Sequence, residues 1–270
     1  MLAPTGYEGD GRVQYDAITY AVRDDVALVT MNRPEVMNAL NTQMRAEIAH
    51  AVRRAGSEAR VVVLTGEGRA FCSGQDLGDR ANVGHIDLER TLRDEYIPML
   101  EAITESPVPT IAAVNGAAAG AGANLALACD VVIAAESAVF LQAFARIGLI
   151  PDAGGTYMLP RQMGAAKAMG AALFAEPITA RQADAWGMIW EAVPDEDFPA
   201  RWWSRALHLA KGPTAAYRAA RQALRQGWDN TLAAQLELEA QLQGECGLSR
   251  DFKEGVLAFL EKRPAHFEGR

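Results

Sequence analysis

One carboxylate in this chain stands where it could take a proton. Asp152 lies in IPDAGG, Ile150 to Gly155, between a proline and a glycine pair able to open a helix. An acid so placed has two ordinary uses, as a base or as a helix cap, because Asp is favoured at N-caps and after proline in turns. Two earlier segments bear on the choice. FCSGQDL (71–77) and NGAAAGAGANLALACD (115–130) are both built to bring main chain close to a ligand.

From Gly116 to Ala123 the second of these carries nothing larger than a methyl group. Small residues at a strand-to-helix junction admit close approach, and the first N–H groups of a helix are unpaired and point outward. They can hold an anion or a developing oxyanion; the same composition also suits tight helix packing. In FCSGQDL, an N–H near Gly74–Gln75 could supply a second donor to the same oxygen. Asp76 has a plainer use as a cap or loop tie. Cys72 has no histidine near it in sequence and reads as a buried structural thiol. The glycine spacing G-x-x-x-G-x-G lacks both the dinucleotide pattern G-x-G-x-x-G and the G-K-[ST] ending of a P-loop, which sets aside a Rossmann enzyme and an NTPase.

The elements that must position these residues follow from the pattern. ITYAV and VALVTMN are two strands around the turn at Arg23–Asp25. NTQMRAEIAHAVRRA, with Met44, Ile48 and Val52 four apart and Asn41 or Thr42 as cap, is a helix. VVVLTG (61–66) is a β-branched run of the kind buried on both faces of a sheet. TIAAVNG (110–116) and DVVIAA (130–135) repeat it, with helices around 88–105 and 119–128 between. Such alternation predicts βαβ units and a parallel sheet, with ligands beyond the carboxyl ends of the strands. From about residue 196 the chain is nearly all helix. Capping boxes are expected at Thr179–Gln182 and Asp251–Glu254, and Leu232, Leu236, Glu239 and Gln243 share one face of a helix beside Leu238 and Leu242. The division expected is a polar arm over 1–16, a core domain over 17–195 and a helical region over 196–270.

Composition narrows the classes. With 270 residues, 50% hydrophobic and 22% charged, the chain suits one large α/β domain with an appendage. A net charge of −8 and a pI near 5.1 argue against nucleic acid or an anionic membrane as partner. Three cysteines at irregular spacings suit free thiols in a reducing compartment, and four scattered histidines give no metal signature. Nothing at the N-terminus has the form of a signal peptide, so a cytoplasmic location is expected.

FCSGQDL, NGAAAGAGANLALACD, GLIPDAGGT and the terminal EGVLAFLEKR, in this order, resemble the crotonase superfamily, the enoyl-CoA hydratase/isomerase family, from about residue 17 to the end. The resemblance implies an α/β fold, a spiral of ββα units with a helical C-terminal trimerisation region, assembled as a homotrimer or homohexamer. It implies an acyl-CoA substrate whose thioester oxygen is held by the main-chain N–H groups of Gln75 and Ala121. It places Ser73, Asp76, Leu77, Asn124 and Phe144 around the substrate, and Phe259 and Lys262 against the CoA of a neighbouring subunit. No metal and no cofactor beyond the CoA of the substrate is implied.

Where this chain departs from the hydratases, its chemistry changes. Their two catalytic glutamates fall on Asn124 and Phe144, neither of which can activate water and deliver a proton. Asp152 stands where hydratases carry glycine, and there the chain is similar to the isomerases of the family. GQDL, AAGAGA, GLIPD-GG and WGMIW together resemble its ring-1,2-epoxyphenylacetyl-CoA isomerase branch. The mechanism so implied has Asp152 remove a proton next to the thioester carbonyl, or at the vinylogous carbon, with Phe144 and Phe140–Leu141 either as apolar surroundings or as plain core residues, and Asn124 touching substrate or orienting the loop. An aliphatic 3-enoyl/2-enoyl-CoA isomerase would use the same base. Aryl-CoA dehalogenation would also need a histidine, for which only His85 is near, and a non-catalytic acyl-CoA-binding paralogue is the reading outside enzymes.

Overall fold

The computed structural model describes residues 14–76, 78 and 87–269. The first described elements form a hairpin: β1 (Ile18–Arg23) and β2 (Val26–Met31) pair antiparallel across Asp24 and Asp25, both at positive φ, as a two-residue turn between twisted strands requires. Asn41 then caps α1 (Thr42–Glu58) by accepting from the Met44 N–H, and Met44, Ile48, Val52 and Ala55 bury one stripe of that helix.

Beyond α1 the chain repeats a unit of two strands and a helix. β3 (Val61–Gly66) and β4 (Ala70–Cys72) precede α2 (Leu88–Thr91), a π-helical turn (Leu92–Tyr96) and α3 (Ile97–Thr104). β5 (Thr110–Val114) and β6 (Ala117–Ala119) precede α4 (Ala121–Ala128). β7 (Val131–Ala135) and β8 (Val139–Leu141) precede a 3-10 turn (Ala143–Ile147) and α5 (Gly155–Phe174), and β9 (Ile178–Thr179), α6 (Ala180–Ala185) and β10 (Glu191–Val193) complete the core.

The strands divide between two sheets, ordered β1-β2-β3-β5-β7-β10 and β4-β6-β8-β9. Among the described residues only the pairings of β1 and β9 are antiparallel. Each unit thus lays its long strand in one sheet and its short strand in the other, which is the crotonase spiral. Alternation along the long strands builds two core layers: Val61, Val63, Ile111, Ala113 and Ile133 meet α7 (Phe198–Ala210) on one face, and Val62, Leu64, Ala112 and Val114 meet α1, α3 and α4 on the other. Strands covered on both faces carry apolar side chains at every position.

Three more helices follow: α8 (Thr214–Gln226), α9 (Leu232–Gly247) and α10 (Arg250–Glu261). The box at Thr179–Gln182 is present. The one expected at Asp251–Glu254 is not, because Ser249 caps α10 by accepting from the Phe252 N–H, while Asp251 is buried and accepts from the N–H groups of Glu268 and Gly269. On α9, Leu232 and Leu236 are exposed and Leu242 is buried. No helix among the described residues is long and apolar enough to cross a membrane.

Candidate active site

The two glycine-bearing segments meet beyond the ends of β4 and β6. A Cβ on Gly74 (φ 92°) would lie 2.7 Å from the Ala119 carbonyl oxygen and 3.4 Å from the Ala121 nitrogen; one on Gly122 would lie 2.3 Å from the Cys72 carbonyl oxygen. Only hydrogen at these two Cα atoms lets the main chains approach so closely. The loop after β4 also bridges to Leu40, whose N–H donates to Gly74 O (2.7 Å) and whose oxygen accepts from the Asp76 N–H (3.1 Å). Alternation along extended chain then turns the Gln75 N–H away from Leu40. Neither that group nor the Ala121 N–H, in the open first turn of α4, donates a hydrogen bond among the described residues.

Asp152 is half-buried on the loop before α5. It does not cap that helix: Gly154 is the N-cap, and the Gly155 N–H bonds to the main-chain oxygen of Asp152 at 2.8 Å. Its Oδ1 is shielded from solvent and has no hydrogen-bond partner. Burial pushes the carboxyl pKa up to about 6, against a smaller opposing effect of its own main-chain N–H. A carboxylate in that range is ionised at neutral pH and more basic than an exposed one.

Asn124 holds this loop in place. Wholly buried, it donates from Nδ2 to the Asp152 main-chain oxygen at 2.7 Å and accepts at Oδ1 from Gln142 at 2.9 Å. Of the two uses expected for it, the structure shows loop orientation. Phe144 is buried, its ring tip 3.8 Å from where a Gly120 Cβ would sit, just ahead of Ala121. Of the two readings open for Phe140 the structure gives the plain core residue, so the apolar wall beside the α4 N-terminus is Phe144.

The remaining expected residues divide. Ser73 spends its N–H on Met37 O and its hydroxyl on Val36 O. Asp76 ties the loop, with Arg33 at 2.8 Å and the Gly78 N–H at 2.9 Å; partial burial opposes its charge, but these donors prevail and lower its pKa. Leu77 and His85 lie outside the described residues. Phe259 and Lys262 are on α10, which packs on α9; Phe259 lines a separate cavity of about 870 Å³ among α8, α9 and α10, and Lys262 ends its helix at φ 54°. Burial pushes the thiols of Cys72 and Cys129 up to about 12, which removes them as nucleophiles.

Two residues at this site were not foreseen. The Tyr96 hydroxyl donates to Gln75 Oε1 at 2.6 Å, and burial raises its phenol pKa against the lowering effect of the Arg45 charge. Arg45 Nη1 donates to the same Oε1 at 2.9 Å and to Leu40 O at 2.7 Å. An arginine beside the apolar stripe of α1 was the one available signal.

A family model described as enoyl-CoA hydratase/isomerase matches residues 22–270. The chain belongs to that family. As a member of the enoyl-CoA hydratase/isomerase family it is an acyl-CoA enzyme of the crotonase superfamily. A "probable enoyl-CoA hydratase" of Rhodobacter capsulatus is 63% identical over 96% of this chain and 100% of its own. The 1,2-epoxyphenylacetyl-CoA isomerase of Escherichia coli is 46% identical over 92% of this chain and 97% of its own. Among solved structures, an enoyl-CoA hydratase from Bacillus anthracis is 32% identical, covering 94% of this chain and 100% of its own, with a TM-score of 0.87.

Proposed function

We propose that this enoyl-CoA hydratase/isomerase family member is an acyl-CoA isomerase with Asp152 as its only base, and that its substrate is ring-1,2-epoxyphenylacetyl-CoA. The observation that carries the reading is the unpartnered, shielded oxygen of Asp152, in a site where the positions matched to the hydratase glutamates hold Asn124 and Phe144. Support for the subtype comes from the aspartate in IPDAGG and from the likeness to the Escherichia coli isomerase.

In this reading Asp152 takes a proton from the carbon next to the thioester. The electron pair moves onto the thioester oxygen, where the N–H groups of Gln75 and Ala121 receive the charge. The carbon–carbon bond of the epoxide breaks while its oxygen stays bonded to both carbons, which expands the six-membered ring to a seven-membered oxepin, and the enolate electrons return into an exocyclic C=C as a proton is returned to the ring. Isomerisation returns what it removes, so one carboxylate is sufficient, whereas hydration must also handle a water. The reaction is redox-neutral and calls for no cofactor beyond the CoA that the substrate carries. The working unit is a homotrimer or homohexamer, with Phe259 and Lys262 meeting the CoA bound by a neighbour.

The test offers the purified protein ring-1,2-epoxyphenylacetyl-CoA, a 3-enoyl-CoA and a 2-enoyl-CoA, comparing kcat/KM. The epoxide is expected to be the best substrate, and Asp152→Asn is expected to lower its turnover by about 10²- to 10⁴-fold, the usual contribution of a positioned base. Hydration of the 2-enoyl-CoA with a higher kcat/KM, or turnover retained in the variant, would refute the proposal.

A further inference from the structure

Gln75 is held by its side chain, between two neighbours, Gly74 and Asp76, that are held by their main chains. Its Oε1 accepts from Tyr96 at 2.6 Å and from Arg45 at 2.9 Å, so both lone pairs are engaged. The same Arg45 nitrogen donates to Leu40 O, the atom that also accepts from the Asp76 N–H. One guanidinium therefore anchors the residue itself and the bridge that flanks it. Three elements converge to make this clamp: α1 brings Arg45, the π-helical turn brings Glu95 and Tyr96 in succession, and the loop after β4 brings Gln75.

Such a clamp is an expensive way to fill a core. Arg45 is 2% exposed, and a buried cation is unfavourable unless it is well paired. Glu95 supplies the pairing at 2.5 Å and the Tyr96 ring adds a face 4.7 Å away. Apolar side chains of similar volume would typically match or exceed the stability of this arrangement. What they would not give is direction, and a single π-turn in a helix frequently lies at a functional site.

We infer that Arg45 and Tyr96 are positioning residues, which fix the Gln75 side chain so that its main-chain N–H is aimed at the thioester oxygen. This rests on the acyl-CoA reading above. A hydrogen bond weakens steeply when its angle closes, and misplacement of a reacting group by an ångström can cost about 10²-fold in rate. Substitution at a main-chain donor ordinarily leaves the donor in place. At Gln75 it releases the anchor, so the side chain becomes a reporter of the N–H.

Tyr96→Phe keeps the ring and its stacking on Arg45 but removes the hydroxyl, and Gln75→Ala removes the clamped atom; neither depends on replacing the buried charge. The readouts are kcat and KM, together with the infrared carbonyl stretch of bound phenylacetyl-CoA labelled at its thioester carbonyl, which falls in frequency when hydrogen bonds polarise the group. Each variant is expected to lower kcat about tenfold with KM within about twofold, as for an interaction made in the transition state, and to lose part of the carbonyl shift. The double variant is expected to be no worse than Gln75→Ala, since both break one linkage. Asp152→Asn should lose turnover yet keep the full shift, which separates the base from the clamp. Wild-type kcat and carbonyl shift in both single variants, or strictly additive effects in the double, would overturn the inference alone. A wild-type protein that gives no carbonyl shift would overturn the acyl-CoA reading and the inference with it.

Discussion

At Asp152, two demands on one side chain oppose each other. A carboxylate is a better base when its charge is poorly solvated, and a poorly solvated charge destabilises the fold that contains it. The folded pKa of about 6 lies above the 3.8 of a free aspartate side chain, so the folded state binds the proton more tightly than the unfolded one. Stability from this group is greatest at low pH and is lost as pH rises through that window, the reverse of a salt-bridged acid. Two outcomes follow. The kcat/KM profile should rise with pH through an inflection near 6, as Asp152 becomes a base. In Asp152→Asn that inflection should vanish, and the variant should be more stable than the wild type by about 1 kcal/mol at pH 8, a figure already reduced for partial solvent screening. The gain should disappear below about pH 4, where both side chains are neutral. Thermal melts at the two pH values check it; a variant less stable at pH 8 would show that Oδ1 is well solvated.

Among the elements, the approach of the β4 loop to α4 sets the distance between the two N–H groups. Gly122→Ala is expected to push the helix away, because the new methyl would meet the Cys72 carbonyl 2.3 Å off. Main chain on both sides leaves little room to relax, so a loss of about 2 to 4 kcal/mol is expected, in the range of overpacked cores, with activity falling further than stability explains; urea unfolding beside kcat/KM measures both. The long strands and α1 could be foreseen because each carries its own signal: β-branched runs for β3 and β7, and Asn41 ahead of a four-residue apolar repeat for α1. The short sheet could not. β4, β6 and β8 are three residues each, too short to show a period, and β6 is all alanine, so their pairing is dictated by where the neighbouring repeat places them. Asp251 was misjudged for a related reason: locally it makes a good capping box, but the returning chain at Glu268 and Gly269 supplies better donors. Asp152 was visible as a chemical residue and its loop as a junction. The Arg45–Tyr96 clamp was not, since it depends on a π-helical turn that no periodicity announces.

On the scale of the whole molecule, α7 packs on the long sheet through apolar side chains, whereas α8 is tied to the spiral through charge. Asp130, just before β7, meets Arg221 and Arg225 of α8 at 2.7 Å each and also accepts from Thr110. Asp130→Asn leaves two partly buried guanidinium groups without their counter-charge, and a loss of about 3 to 5 kcal/mol is expected, read as a lower urea midpoint. Beyond this anchor the surface is unusually apolar: Met169, Leu173 and Phe174 are exposed on α5, as are Leu257, Phe259 and Leu260 on α10. Monomers seldom leave such patches bare. The chain is therefore expected to have the solution mass of three or six copies by light scattering, and Phe174→Glu to reduce that mass while the far-ultraviolet dichroism stays native. Inhibition has its own foothold in this molecule. The dry, donorless oxygen of Asp152 invites an acyl-CoA mimic bearing an amine or hydroxyl where the substrate carries its acidic hydrogen. Such a compound would meet a ready acceptor and should hold tightest in alkaline buffer.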